Sequence, residues 1–139
     1  MKKFHLLAII AILFSALTGC GAKTTPLTGA DQEAVLAFSE PKTDNLLAGM
    51  NAADYAAFSR DFDAEMLAAM TDSEFAKLKA ERDAKLGLYL SRSVDSVVQQ
   101  GDFYIVVYLT QFEKDEAVTV RVVFRVAEPH QVSGLWFNK

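Results

Sequence analysis

The composition changes sharply near residue 87. Residues 30–87 hold fourteen alanines and one valine, whereas residues 88–139 hold eleven valines and two alanines. Alanine is the best helix former and valine favours strands, so the chain reads as helices first and strands second. That order predicts an α+β architecture, with N-terminal helices packed on an antiparallel sheet, and argues against an alternating doubly wound fold. No internal repeat is visible, and 139 residues is one domain's worth of chain.

The helical half divides at its own punctuation. A helix starts at Asp31 and runs to about Ser39 with Val35, Leu36 and Phe38 apolar. Pro41 kinks or restarts it, because proline lacks the amide donor. Leu46, Leu47 and Met50 continue the stripe, and Asn51 caps a short helix over 52–59 with Asp54 at its third position. Phe62, Met66, Leu67 and Met70 repeat at helical spacing. Thr71-Asp72-Ser73-Glu74 is a capping box opening a helix that turns Phe75 and Leu78 inward and stops at Gly87.

The strand half has four runs, 88–99, 103–113, 117–127 and 132–138, separated by short turns. Short turns demand antiparallel neighbours, hence a four-stranded meander. In the third run Val118, Val120, Val122, Phe124 and Val126 alternate with Thr119, Arg121, Val123 and Arg125, so the first set faces the helices. The second run is apolar on both faces, so it is either central and covered or borders a pocket or a partner.

The first twenty residues read as an address. Lys2 and Lys3 precede an apolar run from Leu6 to Leu17, broken only by Ser15, which matches a secretory signal. As a helix the run spans roughly 18 Å, short of the ~30 Å hydrocarbon core. Leu17-Thr18-Gly19-Cys20 follows and contains the sole cysteine. This stretch resembles a bacterial lipobox, which implies cleavage between Gly19 and Cys20 and lipidation, including palmitate, at Cys20. The competing reading is an ordinary secretory signal with a cysteine that happens to fall there. The expected layout is a signal peptide over 1–19, a lipidated cysteine and flexible tether over 20–30, and one α+β domain over 31–139. The protein is then extracytoplasmic and lipid-anchored to a bacterial membrane, the outer one if there is one. Cleavage removes two lysines and no acid, taking the net charge from -4 to -6, which leaves no electrostatic footprint for nucleic acid.

Two stretches carry a family resemblance. One is Leu47-Ala48 with Asp54-Tyr55 leading into Phe62-Asp63 and Met66; the other is the closing Val132-Ser133-Gly134-Leu135-Trp136-Phe137. With helices ahead of a long sheet, they resemble a bacterial branch of unknown function in the nuclear transport factor 2-like superfamily. The resemblance covers roughly residues 32–138 and implies a cystatin-like α+β cone with a curved four-stranded antiparallel sheet. It implies a small lipoprotein, or a domain ahead of a hydrolase, and a homodimer built through the sheet. Superfamily enzymes use carboxylates, histidines and tyrosines inside the cone, and no recognisable version of those sets stands in this chain.

Candidate sites are few. His130 follows Pro129 in a turn and reads as a solvated residue without catalytic companions. Asp61, Asp63 and Glu65 lack the glycine and distal glutamate of a calcium loop, so helix-start acids are expected and no metal or cofactor site. Lys77, Lys79, Arg82 and Lys85 among Glu74, Glu81 and Asp83 make a solvated helix face. Tyr104 and Tyr108 share a face of one strand, as do Arg121 and Arg125 on the next; the four form a candidate ligand or interface face, or simply an exposed sheet face. The expected function is a non-catalytic, membrane-anchored module binding a small ligand or protein partner. The alternative is a cone-pocket enzyme of hydrolase or isomerase type, with acid–base residues drawn from Tyr89, Asp95, Tyr104 and Tyr108.

Overall fold

The structure, a computed structural model, describes residues 21–139. The expected signal peptide and the expected lipidation site, Cys20, lie outside the described residues. The elements are β1 (Thr24–Pro26), α1 (Gly29–Ala52), α2 (Tyr55–Ser59), α3 (Ala64–Ala69) and α4 (Asp72–Lys85), followed by β2 (Tyr89–Gln100), β3 (Phe103–Phe112), β4 (Asp115–Arg125) and β5 (Val132–Asn138). All strand pairs are antiparallel, in the order β1-β2-β3-β4-β5. This is the α+β class expected, with helices ahead of a curved antiparallel sheet. No helix among the described residues is long and apolar enough to cross a membrane.

The sheet has five strands where four were expected. The extra strand comes from the segment read as a tether: Thr24, Thr25 and Pro26 pair with Gln100, Gln99 and Val98, and the Leu27 amide donates to the Val97 carbonyl at 2.8 Å. Three exposed residues carry no apolar alternation, so nothing in their sequence announces a strand. Proline is tolerated there because β1 is an edge.

Helix α1 runs unbroken through Pro41. Val35, Ser39, Thr43, Leu46, Leu47 and Met50 are buried along one side of it, and this packing outweighs the ~3 kcal/mol that an interior proline costs. Asn51 does not cap the next helix. It sits in the last turn of α1, and Asp54 caps α2 by accepting the Ala57 amide at 3.0 Å. The Asn51 side chain instead ties three elements together. Its Nδ2 donates to the Tyr89 carbonyl at 2.8 Å, and its Oδ1 accepts from Arg82 at 2.8 Å and from the Tyr89 amide at 3.1 Å. Thr71 caps α4 as expected, and Gly87, at φ +77°, follows its last turn.

The core lies between the helices and one face of the sheet. Leu46, Leu47, Met50, Phe58 and Phe62 meet Val106, Tyr108, Phe112, Val118, Val120, Val122 and Phe124, all 2 % exposed or less. The third run of the strand half thus turns its valines and Phe124 to the helices, as its alternation requires.

Candidate functional site

The four residues grouped as one face do not share it. Tyr104 pairs with Phe124 and Tyr108 with Val120, whereas Arg121 pairs with Val107 and Arg125 with Phe103. Directly paired residues lie on the same side of a sheet. The tyrosines therefore face the helices and the arginines face outward. Alternation along one strand does not say which parity of the next strand it meets; the register does.

Tyr108 is fully buried and belongs to a polar clasp between α1 and the sheet. Its hydroxyl lies 3.1 Å from Thr43 Oγ1, and the Arg92 guanidinium stands 5.0 Å from its ring centre. Arg92 donates to Glu40 Oε2 at 3.0 Å, to the Tyr89 hydroxyl at 3.2 Å and to Asp44. Burial pushes the Tyr108 phenol well above its ordinary value and the neighbouring Glu40 adds to this, so the phenol stays protonated. Burial opposes the charge on Arg92, but Asp44, Tyr89 and Glu40 outweigh it and hold the guanidinium ionised. Ser39 Oγ, Glu40 Oε1 and Arg92 Nε have no hydrogen-bond partner among the described residues. Sequence reading missed Glu40, Thr43 and Arg92. The signal was present: Ser39 and Thr43 interrupt the apolar stripe of α1 at helical spacing.

The proposed acid–base set is only half assembled. Tyr89 and Tyr108 both border Arg92, but Asp95 is exposed at a β-bulge, its carboxylate accepting only from Ser96 at 3.2 Å. Tyr104 lies elsewhere, in a cleft of about 350 Å³ that includes Phe38 and His130. His130 is not solvated as expected. It is half-buried, its ring stacks on Phe38 with centroids 4.0 Å apart, and its Nδ1 lies 3.1 Å from the Arg125 carbonyl oxygen.

Asp63 is the acid that folding employs. It caps α3 through the Met66 amide at 2.8 Å and accepts from Arg125 at 2.7 Å and from the Ser133 hydroxyl. Burial raises its carboxyl, yet those three donors together hold it below the usual range. Arg125 is thus committed to Asp63 and, at 3.2 Å, to Glu65. Arg121 has no carboxylate partner among the described residues; it stacks over the Trp136 ring at 4.6 Å.

An open cleft of about 460 Å³ lies between α4 and β5. Leu78, Leu86, Leu135 and Phe137 supply apolar wall, and Glu81 and Lys85 put charge of both signs at the cleft, while Lys139 pairs with Asp115 at 3.0 Å. Strand β5 ends the sheet. Its first residue is held by the neighbouring chain segment, with the Val132 amide donating to the Asp61 carbonyl at 2.8 Å and the Asp63 amide to the Val132 carbonyl at 2.9 Å. Beyond Val132, no strand among the described residues pairs with the outer edge of β5. The arrangement suits binding: backbone donors and acceptors along an edge, beside an apolar groove.

No curated protein and no solved structure matches the chain. A family model described as a protein of unknown function (DUF3887) matches residues 43–135. That stretch starts in α1 at Thr43, takes in Arg92 and Tyr108, and ends in β5 at Leu135, two thirds of the sequence. The chain therefore belongs to the DUF3887 family of proteins of unknown function.

Proposed function

We propose that this protein is a lipid-anchored, extracytoplasmic binding module. Its non-catalytic domain takes an extended segment of a protein partner along the open edge of β5. The observation that carries this reading is the unpaired β5 edge beside the apolar cleft of Leu78, Leu86, Leu135 and Phe137. An added strand gains main-chain hydrogen bonds from the edge, and its alternate side chains enter the cleft. The space between helices and sheet, where a cone enzyme holds its substrate, is filled here by Phe58, Phe62, Tyr108 and Phe112. The order of helices and curved sheet supports kinship with the cystatin-like cone of the nuclear transport factor 2-like superfamily.

The anchor reading rests on Leu17-Thr18-Gly19-Cys20 behind an apolar run. Strand β1 shortens the tether. Only Gly21, Ala22 and Lys23 separate Cys20 from Thr24, a reach of about 14 Å when extended.

Photo-crosslinking tests the edge. With p-benzoylphenylalanine in place of Asn138, the full lipoprotein in intact cells gives a discrete adduct; in place of Lys77, on the exposed side of α4, it gives none. Equal adducts from both positions, no adduct from position 138, or turnover by the purified protein on a hydrolase panel overturns the reading. For the anchor, Cys20→Ser abolishes palmitate labelling and releases the protein from membranes; retained label overturns it.

A further inference from the structure

We infer that the outer face of the sheet lies against an anionic lipid surface, so that the domain rests on the membrane sheet-side down. This rests on the lipid-anchor reading. The outer face carries Leu109 at 52 % exposure and Trp136 at 44 %, with Ile105 and Val107 half-buried beside them. The register makes these one patch: Leu109 faces Thr119, Val107 faces Arg121, and Arg121 faces Trp136. Exposed apolar residues that cluster on one face mark protein or membrane contact sites when the patch is large.

The chemistry of the patch fits the headgroup region. Tryptophan is enriched at membrane–water interfaces, and an arginine beside it keeps its stem on apolar surface while its guanidinium reaches phosphate. Arg121 is placed for this. It stacks on Trp136 at 4.6 Å and makes no ion pair among the described residues. After the expected cleavage the chain carries a net charge of -6, so a cation without an ion pair among the described residues on this face is not a product of bulk composition. The anchor supplies the remaining constraint. A ~14 Å tether enters the sheet at β1, and four strand spacings, roughly 19 Å, separate β1 from β5. The sheet therefore cannot stand far from the bilayer, and lying flat places Trp136 at the headgroups. The helices then face away and the β5 edge stays open to the side.

Trp136 is the single tryptophan, so its fluorescence reports this face alone. The full lipidated protein is reconstituted into phosphatidylcholine vesicles containing phosphatidylglycerol, with and without brominated acyl chains. The expected result is a blue-shifted emission that bromolipid quenches. Arg121→Glu combined with Leu109→Ser loses the quenching while the protein still floats with the vesicles, and Arg121→Lys retains it. Flotation with unquenched Trp136 overturns the proposal and leaves the anchor standing. Blue-shifted but unquenched emission from a dimeric species overturns it by assigning the face to a second copy. Failure of the wild-type protein to float overturns the anchor reading instead.

Discussion

The Arg92 guanidinium stands 5.0 Å from the centre of the Tyr108 ring, locking α1 to the β2–β3 pair from inside the protein. Its side chain is 7 % exposed, while those of its carboxylate partners Glu40 and Asp44 are 38 % and 67 % exposed. The cation is the buried member, so removing it takes packing from Tyr108 as well as charge. Arg92→Ala is expected to cost about 3 kcal/mol. Asp44→Asn, at an exposed pair, is expected to cost under about 1 kcal/mol. Glu40→Leu combined with Arg92→Met is expected to recover most of the loss, because apolar replacement also removes the unpartnered Glu40 Oε1 and Arg92 Nε. Urea midpoints at constant slope measure all three. Equal losses for Arg92→Ala and Asp44→Asn refute the clasp.

Asp63 sets an acid limit on stability. Its carboxyl is held below the usual 3.8, so between the folded and unfolded values the unfolded chain binds more protons. Stability from this group is fully present above about 4 and is lost as pH falls through the folded value. Asp63→Asn is expected to flatten the acid side of the stability–pH curve and to lower stability at neutral pH, where Arg125 loses the nearer of its two carboxylate partners. Thermal unfolding from pH 7 down to 2 reads both effects. An unchanged acid slope in the variant shows that other carboxylates carry it.

The fold was legible where one signal acted locally. Thr71 caps α4 because its hydroxyl and the following acids say so within four residues. The alanine-to-valine switch places the change from helix to sheet within a residue or two of its true position, between Lys85 and Tyr89. What failed needed information from elsewhere in the chain. Tyr108 and Arg121 each alternate correctly on their own strands, which suggests one shared face, yet the register sets even-numbered residues of β3 against even-numbered residues of β4. Pro41 reads as a break until the sheet beneath α1 is known. Strand β1 exists only because Val98–Gln100 offers it an edge, and His130 reads as solvated until Phe38 arrives from α1 to stack on it.

Gly49 separates two opposed effects. In the middle of a helix, Gly→Ala raises stability by up to about 1 kcal/mol through backbone entropy. Here a Cβ on residue 49 falls 2.6 Å from the Phe58 amide nitrogen and 2.9 Å from its Cα. Those are backbone atoms of α2, whose Phe58 side chain is buried in the core, so they do not yield as a surface side chain does. Gly49→Ala is therefore expected to destabilise by about 1–3 kcal/mol. The sign of the change in unfolding free energy decides between propensity and close packing.

Gly134 makes the opposite case, because the neighbour there can move. A Cβ on residue 134 falls 2.2 Å from a ring atom of Trp136, so the indole lies across the glycine. Trp136 is 44 % exposed and sits on the edge strand, which leaves it room to swing outward. Gly134→Ala is expected to displace the ring from Arg121 at a cost of under about 1 kcal/mol, since the group that must move is an exposed indole and not core packing. The emission of this sole tryptophan shifts to longer wavelength as the ring enters water. Arg121→Ala in the same background then adds no further shift, because the stacking is already lost. A large loss of stability instead places Trp136 in the packing of the β4–β5 pair, and an unchanged spectrum shows that the sheet, not the indole, gives way.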